Sequence, residues 1–354
     1  MPLTSGRLAG PVLALDLGGT NARAAVVTPD GRVSSRQAGP TPMQLGTASV
    51  VDFCIELLRQ ARDEHAQGGG ASPLAVGICS PGPLDASGGV LHDPPNLRGD
   101  WWGFPLAPVI GQGLGLPWAI EKDTNVDILA ERQFGAGVGS DDLVYLTIST
   151  GIGGAVISGG RLMLGPDGVA GELGHLMVDM DGPSCGCGAR GHLEAVASGA
   201  GMARAAQEAL DAGENAPQLA RLAERMAPQA LSAIEVSEAA DLGDPVARVI
   251  LERARRAVAV SVVSIVDVFG PDMVILGGGI TLAWGERLIA PAREAIAESA
   301  FRIQAARARV VQAALGDDVG LIGAVPLIAS ALPELIAHDD HPNATAAAAA
   351  DANT

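Results

Sequence analysis

Two stretches of this chain carry the same punctuation, and that repetition limits what it can fold into. Val12–Ser35 reads VLALDLGGTNARAAVVTPDGRVSS: strand, glycine turn, strand, PDG turn, strand. Val144–Gly165 reads VYLTISTGIGGAVISGGRLMLG: again an apolar strand, a glycine-rich turn holding threonine, a second strand, a two-residue turn and a third. The letters match weakly and the turns match well. Two β-turn-β-turn-β units about 130 residues apart predict a duplicated α/β fold. The competing reading is a chance likeness of glycine-rich hairpins.

The segments between and after the units fill out an α/β pattern. A helix is expected at Gln44–His65, a buried strand in PLAVGICS, and an irregular Pro/Gly-rich loop over Ser80–Trp102. LPWAIEKD reads as a short strand and TNVDILAERQFG as the helix after it. Beyond Gly199 the chain is mostly helical, with a long apolar-periodic helix at Pro245–Phe269. MVILGGGI reads as a strand running into a glycine loop, Leu282–Ser299 as a helix, ARVVQAAL as a strand and Gly320–Leu332 as a final helix. From His338 the sequence is low-complexity and reads as a frayed tail.

Charge and apolar content exclude several classes. Forty acidic against twenty-three basic residues give a net charge of −17, which repels phosphate backbones and anionic lipid. No nucleic-acid partner is therefore expected. No uninterrupted apolar run reaches the length of about 18 residues that a membrane helix needs, and MPLTSGRLAG lacks the apolar stretch of a signal peptide. Four cysteines in this length make no disulfide framework. Cys54 and Cys79 sit singly in apolar surroundings and read as small core residues.

Each glycine hairpin has equipment for an anion. DLGGTNAR places Asp16 at a strand end with Gly18, Gly19 and Thr20 in the turn. A turn without Cβ atoms lets backbone N–H groups approach phosphate closely. Thr20 adds a hydroxyl, and Asp16 suits a water-bridged Mg²⁺. STGIGG offers the same through Thr150, Gly151 and Gly153. Either hairpin alone is more often a plain turn; paired, they read as two phosphate clamps facing each other. The glycines at 277–279 form a third glycine turn at a strand end, either a seat for a flat ring or a plain strand-helix turn. Neither clamp is a P-loop, because GxxxxGK[ST] is absent.

Two further segments carry reactive side chains. In EKDTN, Asp123 stands where a strand gives way to a helix. It is either an N-cap or a general base for a substrate hydroxyl. GELGHLMV and CGCGARGHLE together supply His175, Cys185, Cys187 and His192, enough ligands for a closed tetrahedral zinc site. The C-x-C-x4-H spacing is not that of a zinc finger, and two buried thiols in a glycine loop remain the alternative. Glu172 and Glu194 flank the cluster and suit hydrogen bonding to a polyol.

Taken in order, DLGGTNAR, GICSPGPLD, PPNL, EKDTN, STGIGG, GELGH, CGCGARGHLE and LGGGI resemble the ROK family of sugar kinases, in the actin-like ATPase superfamily. The resemblance runs from about Val12 to Leu332. It implies two ribonuclease-H-like α/β domains with ATP and sugar in the cleft between them. The matching limits are a flexible N-terminus over residues 1–10, a small domain over 11–122 rejoined by about 320–335, and a large domain over 123–319 with the zinc loop. The resemblance makes Asp123 the base. It makes Asn96, Asp123, Glu172, His175 and Glu194 the sugar contacts, and His175, Cys185, Cys187 and His192 the ligands of a structural zinc. ATP would lie on Asp16, Gly18, Gly19, Thr20, Thr150, Gly151, Gly153, Gly278 and Gly279, with Mg²⁺.

Two positions depart from the family pattern: His192 stands where a third cysteine is usual, and Lys122 where an asparagine usually touches the sugar. The implied activity is ATP-dependent phosphorylation of a hexose, foremost glucose at its 6-hydroxyl, by a cytoplasmic homodimer. Fructose, mannose and N-acetylhexosamines are the alternative sugars. A sugar-sensing regulator of the same family is the rival from another class. About ten residues precede the first hairpin, too few for a helix-turn-helix.

Overall fold

The computed structural model describes residues 1–4 and 6–337. The tail expected from His338 lies outside them.

Both repeated units form, and each founds a five-stranded sheet of the same design. In the first, β1 (Val12–Leu17), β2 (Asn21–Val27) and β3 (Val33–Pro40) make an antiparallel meander. Helix α1 (Thr47–Gln67) then packs on it and leads to β4 (Val76–Ser80), which lies parallel to β1. β5 (Leu84–Asp85), β6 (Val90–His92) and β7 (Trp102–Phe104) form a small separate sheet. The stretch read as irregular is therefore partly ordered by pairing; its strands are two or three residues long, below what alternation reveals. α2 (Leu106–Leu114), which the sequence reading does not single out, precedes β8 (Trp118–Lys122). The first sheet runs β3-β2-β1-β4-β8.

α3 (Asp123–Phe134) leads to the second sheet, where β9 (Leu143–Ile148), β10 (Ile152–Ser158) and β11 (Arg161–Leu162) repeat the meander. Helices α4 (Leu193–Ala197), α5 (Gly199–Asp211), α6 (Pro217–Met226), α7 (Ala233–Asp241) and α8 (Pro245–Phe269) follow. β12 (Met273–Gly277), α9 (Gly278–Trp284), α10 (Glu286–Ser299), α11 (Arg302–Ala305) and β13 (Arg309–Gln312) complete the order β11-β10-β9-β12-β13. The chain then returns as α12 (Val319–Ile322) and α13 (Ala324–Ala331), which pack on β1, β4 and β8. Gly323 separates these two where the sequence reads as one helix.

The core explains why so few aromatics suffice. Ala, Val, Leu and Ile fill three buried clusters, one against each sheet's helical face and one shared by both sheets with α3, α12 and α13. Each fully buried aliphatic side chain contributes about 1.5–3 kcal/mol. The shared cluster joins Val12 and Ala14 of β1 to Tyr145 of β9 and Ile275 of β12.

The described residues of the N-terminal segment make contacts with β11 and with Ile336. The Met1 ammonium donates to the Leu162 carbonyl at 2.8 Å, Pro2 bridges Arg161, and Leu8 is buried opposite Ile336. A buried leucine and backbone pairing to β11 anchor the segment's described residues.

Candidate active site

The site lies between the two sheets, where glycine turns and strand ends converge. The β1–β2 turn holds Gly18 and Gly19. A Cβ at Gly18 would stand 2.8 Å from the Asn21 carbonyl oxygen, and one at Gly19 would overlap that of Asn96. The loop bearing Asn96 thus closes onto this turn through backbone. Thr20 is exposed at the tip, its carbonyl accepting from the Thr41 N–H. The β9–β10 turn presents Thr150 to solvent. Gly151 lies against the Glu194 carboxylate and Gly153 against Thr124, next to Asp123.

The 277–279 glycines make a strand-to-helix turn. Gly277 is the N-cap of α9, and Gly278 and Gly279 form its first turn. Gly278 has φ +85°, and a Cβ there would lie 2.5 Å from the Ile148 carbonyl oxygen. Only glycine fits.

A cavity of about 220 Å³ is lined by Asp16, Asp123, Ser149, Gly278 and Gly279, while Gly18, Gly19, Thr20, Thr150, Gly151 and Gly153 lie outside its lining. Residues the sequence reading did not place here join them: Arg23, Cys79, Asp127, Tyr145 and Asp317. Some carried a signal. Asp127 follows Asp123 by one helical turn and shares its face. Arg23 pairs with Asp16 across the hairpin, its Nε 3.9 Å from Oδ2. Cys79 is buried, as its apolar surroundings predict, yet it also neighbours Asp16 on the parallel strand β4. No local pattern announces that.

Asp123 is not an N-cap. Lys122 holds that position, and Asp123 is the first helical residue, with Oδ1 accepting from the Thr124 N–H at 2.7 Å. Burial pushes its carboxyl up to about 6, against the hydrogen bond from Thr124 and the nearby charge of Lys122, while Asp16 and Glu172 add to the rise. Asp16 and Asp127 are also raised, chiefly by burial. A carboxyl near 6 is mostly deprotonated at neutral pH yet more basic than a free carboxylate, which suits a general base.

Lys122 has a partner. Its buried ammonium donates to Glu172 Oε1 at 2.8 Å. Glu172 keeps 44% of its side chain exposed, so one face of the carboxylate remains open beside Asp123. Glu194 is anchored instead on the second glycine turn, its Oε2 accepting from the Ile152 N–H at 3.0 Å. The expected sugar contacts are held by different partners, Asn96 on the first turn, Glu172 on Lys122 and Glu194 on the second turn, and of the set only Asp123 lines the cavity.

His175, Cys185, Cys187 and His192 do meet. Their ligand atoms all lie within 4.8 Å of one another. Cys185 Sγ is 3.8 Å from His175 Nδ1 and Cys187 Sγ 3.4 Å from His192 Nδ1. Donors about 2.0–2.3 Å from one tetrahedral zinc stand roughly 3.3–3.8 Å apart; the two Cys–His pairs have that spacing, and the donor set is compatible with that ion. Backbone pairing of Ser184 with Arg190 and of Met177 with His192 folds the loop so that the ligands converge.

The ROK family model matches residues 12–331. The chain belongs to the ROK family. Among its relatives, the glucokinase of Thermotoga maritima is 35% identical over 90% of this chain and 96% of its own length. The N-acetylmannosamine kinase of Escherichia coli O157:H7 is 37% identical over a shorter span, 49% of this chain and 57% of that protein. The ROK glucokinase of Streptomyces griseus, solved with glucose and AMPPNP, is 34% identical with a TM-score of 0.71, covering 90% of this chain and 99% of that one. The ROK fold is that of the actin-like ATPases, and the two like-ordered sheets of this chain are its two halves.

Proposed function

We propose that this ROK protein is a glucokinase, transferring the γ-phosphoryl group of ATP to the 6-hydroxyl of glucose. The observation that carries the reading is Asp123: a carboxyl pushed to about 6, at the wall of a cavity that also holds Asp16, Gly278 and Gly279. The glucokinase relatives, similar over nearly the whole chain, supply the sugar.

In the proposed reaction, glucose lies against Asn96, Asp123, Glu172, His175 and Glu194. Asp123 accepts the 6-hydroxyl proton as that oxygen attacks the γ-phosphorus in line. The bond to the β,γ-bridging oxygen breaks and ADP leaves. The proton then passes from Asp123 to solvent. The triphosphate rests on the glycine turns at Gly18, Gly19, Gly151, Gly153, Gly278 and Gly279, whose missing side chains allow close approach, with Thr20 and Thr150 donating hydroxyls. Such catalysis is mainly positioning and charge neutralisation. Asp16 would hold Mg²⁺, which when bound neutralises phosphate charge.

His175, Cys185, Cys187 and His192 would hold one structural zinc. His175 turns Nδ1 toward the cluster, which leaves Nε2 for a sugar hydroxyl. Reduced thiols at Cys54 and Cys79 suit the cytoplasm. A homodimer is the expected assembly.

The deciding experiment is a coupled ADP-release assay over glucose, mannose, fructose and N-acetylmannosamine. The proposal expects the highest kcat/KM on glucose. A preference of about tenfold or more for another sugar refutes it. N-acetylmannosamine is the alternative with support, through the shorter match to the kinases of that sugar.

A further inference from the structure

Beyond the N-terminal segment, which leads from β11 to β1, the chain passes between its two sheets over residues 135–142, from α3 to β9, and over 313–318, from β13 to α12. One carboxylate touches both. Glu131, near the end of α3, is fully buried. Its Oε2 accepts from the Ala136 N–H at 2.7 Å, on the first crossing. Its Oε1 accepts from the Ala314 and Leu315 N–H groups at 2.8 and 3.0 Å, on the second. The Glu131 carbonyl also receives the Gly135 and Gly137 N–H groups. Gly135 lies so close to Oε2 that a Cβ there would overlap it.

We infer that Glu131 is a positioning residue, a clasp that pins both interdomain crossings to one point and fixes the wall of the nucleotide side of the cleft. The second crossing contributes Ala313, Gly316 and Asp317 to that wall. Its far end is tied to the first sheet by Arg23 on the Asp317 carbonyl and by the Arg36–Asp318 ion pair at 3.0 Å. Its near end is held by Glu131 alone among side chains bonded to Ala314 and Leu315 in the described residues. Any rotation of one sheet against the other bends the chain in these two segments, so a clasp on both keeps the pivot in one place. A buried carboxylate suits the task because two oxygens with about four acceptor positions serve three N–H groups at once. An amide cannot, since one of its ends only donates.

The inference rests on the kinase reading for its kinetic arm and not for its structural arm. In Glu131→Gln, one crossing faces an NH₂ group and loses its acceptor. Hydrogen exchange at Ala136 or at the Ala314–Leu315 pair should quicken by about tenfold or more, with amides in the middle of β1 and β9 unchanged. KM for ATP should rise by about fivefold or more, while KM for the sugar stays within about twofold. Gly135→Ala is an independent route to the same end. Its φ of −117° lies outside the left-handed region that favours glycine, and the added methyl displaces the carboxylate without removing it. It should reproduce both effects. Unchanged exchange at all three amides in either variant overturns the clasp whatever the substrate. Exchange quickened uniformly over the chain, with both KM values moving together, also overturns it, by showing loss of global stability instead. If Glu131→Gln does not fold, Gly135→Ala decides alone.

Discussion

Asp123→Asn should produce a protein that is slower and more stable at once. The two effects have one cause. The carboxyl of a free aspartate loses its proton near 3.8, and that of Asp123 near 6, chiefly through burial. The folded state thus holds the proton more tightly than the unfolded chain does. Folding stability is fully present below about 4, falls as pH rises from 3.8 to about 6, and is level above. At 1.36 kcal/mol per pH decade, the ionised side chain costs about 3 kcal/mol at neutral pH as a ceiling. Asp123 is only partly buried, so solvent screens some of that cost. An asparagine carries no charge, and its Oδ1 still accepts from the Thr124 N–H. The variant should therefore melt a few degrees higher at pH 7, and its stability should lose the step between 3.8 and about 6. Turnover should meanwhile fall by about 10²–10⁴-fold, the worth of a general base. Calorimetry from about pH 4 to pH 8 reads the first effect, and a coupled assay reads the second. Wild-type kcat/KM should decline below about 6, since only the ionised base accepts a proton. Two results would refute the reasoning: near-normal turnover in a folded Asp123→Asn protein, or a wild-type rate that stays flat down to about pH 4.5.

Two further predictions concern the family departures. Lys122→Asn removes the ammonium held at 2.8 Å by Glu172 and frees that carboxylate toward the sugar; the ratio of kcat/KM between glucose and N-acetylmannosamine should change by about tenfold, or 1.4 kcal/mol, and unchanged ratios would make the pair a bystander. Purified protein should carry about one zinc per chain, and Cys187→Ser should lose metal and activity together; full activity in metal-free protein would leave the four side chains as packing.

Much of this was legible because it is local. The hairpins of β1–β2 and β9–β10 follow from strand alternation broken by glycine. The boundary at Asp123 follows from an extended segment giving way to helical spacing, and Pro245–Phe269 forms as the periodicity requires. The ligand loop around Cys185 and Cys187 closes over a few residues. Turn chemistry and side-chain period act within about ten residues, so a sequence read in order displays them.

The tertiary structure decided what depends on residues far apart. Glu121–Lys122–Asp123 reads the same whether Lys122 faces the sugar or pairs away; its partner Glu172 is 50 residues on. Cys79 looks like core until the parallel pairing of β1 with β4 sets it beside Asp16. The strands between 84 and 104 are too short to show a period and form only because they pair with one another. Glu131 looks like an ordinary polar residue near a helix end, yet its acceptors serve N–H groups 183 and 184 residues away. Burial and partnership are properties of the packed chain: a carboxylate's proton affinity, or a charge's partner, is set by which distant segments exclude water around it.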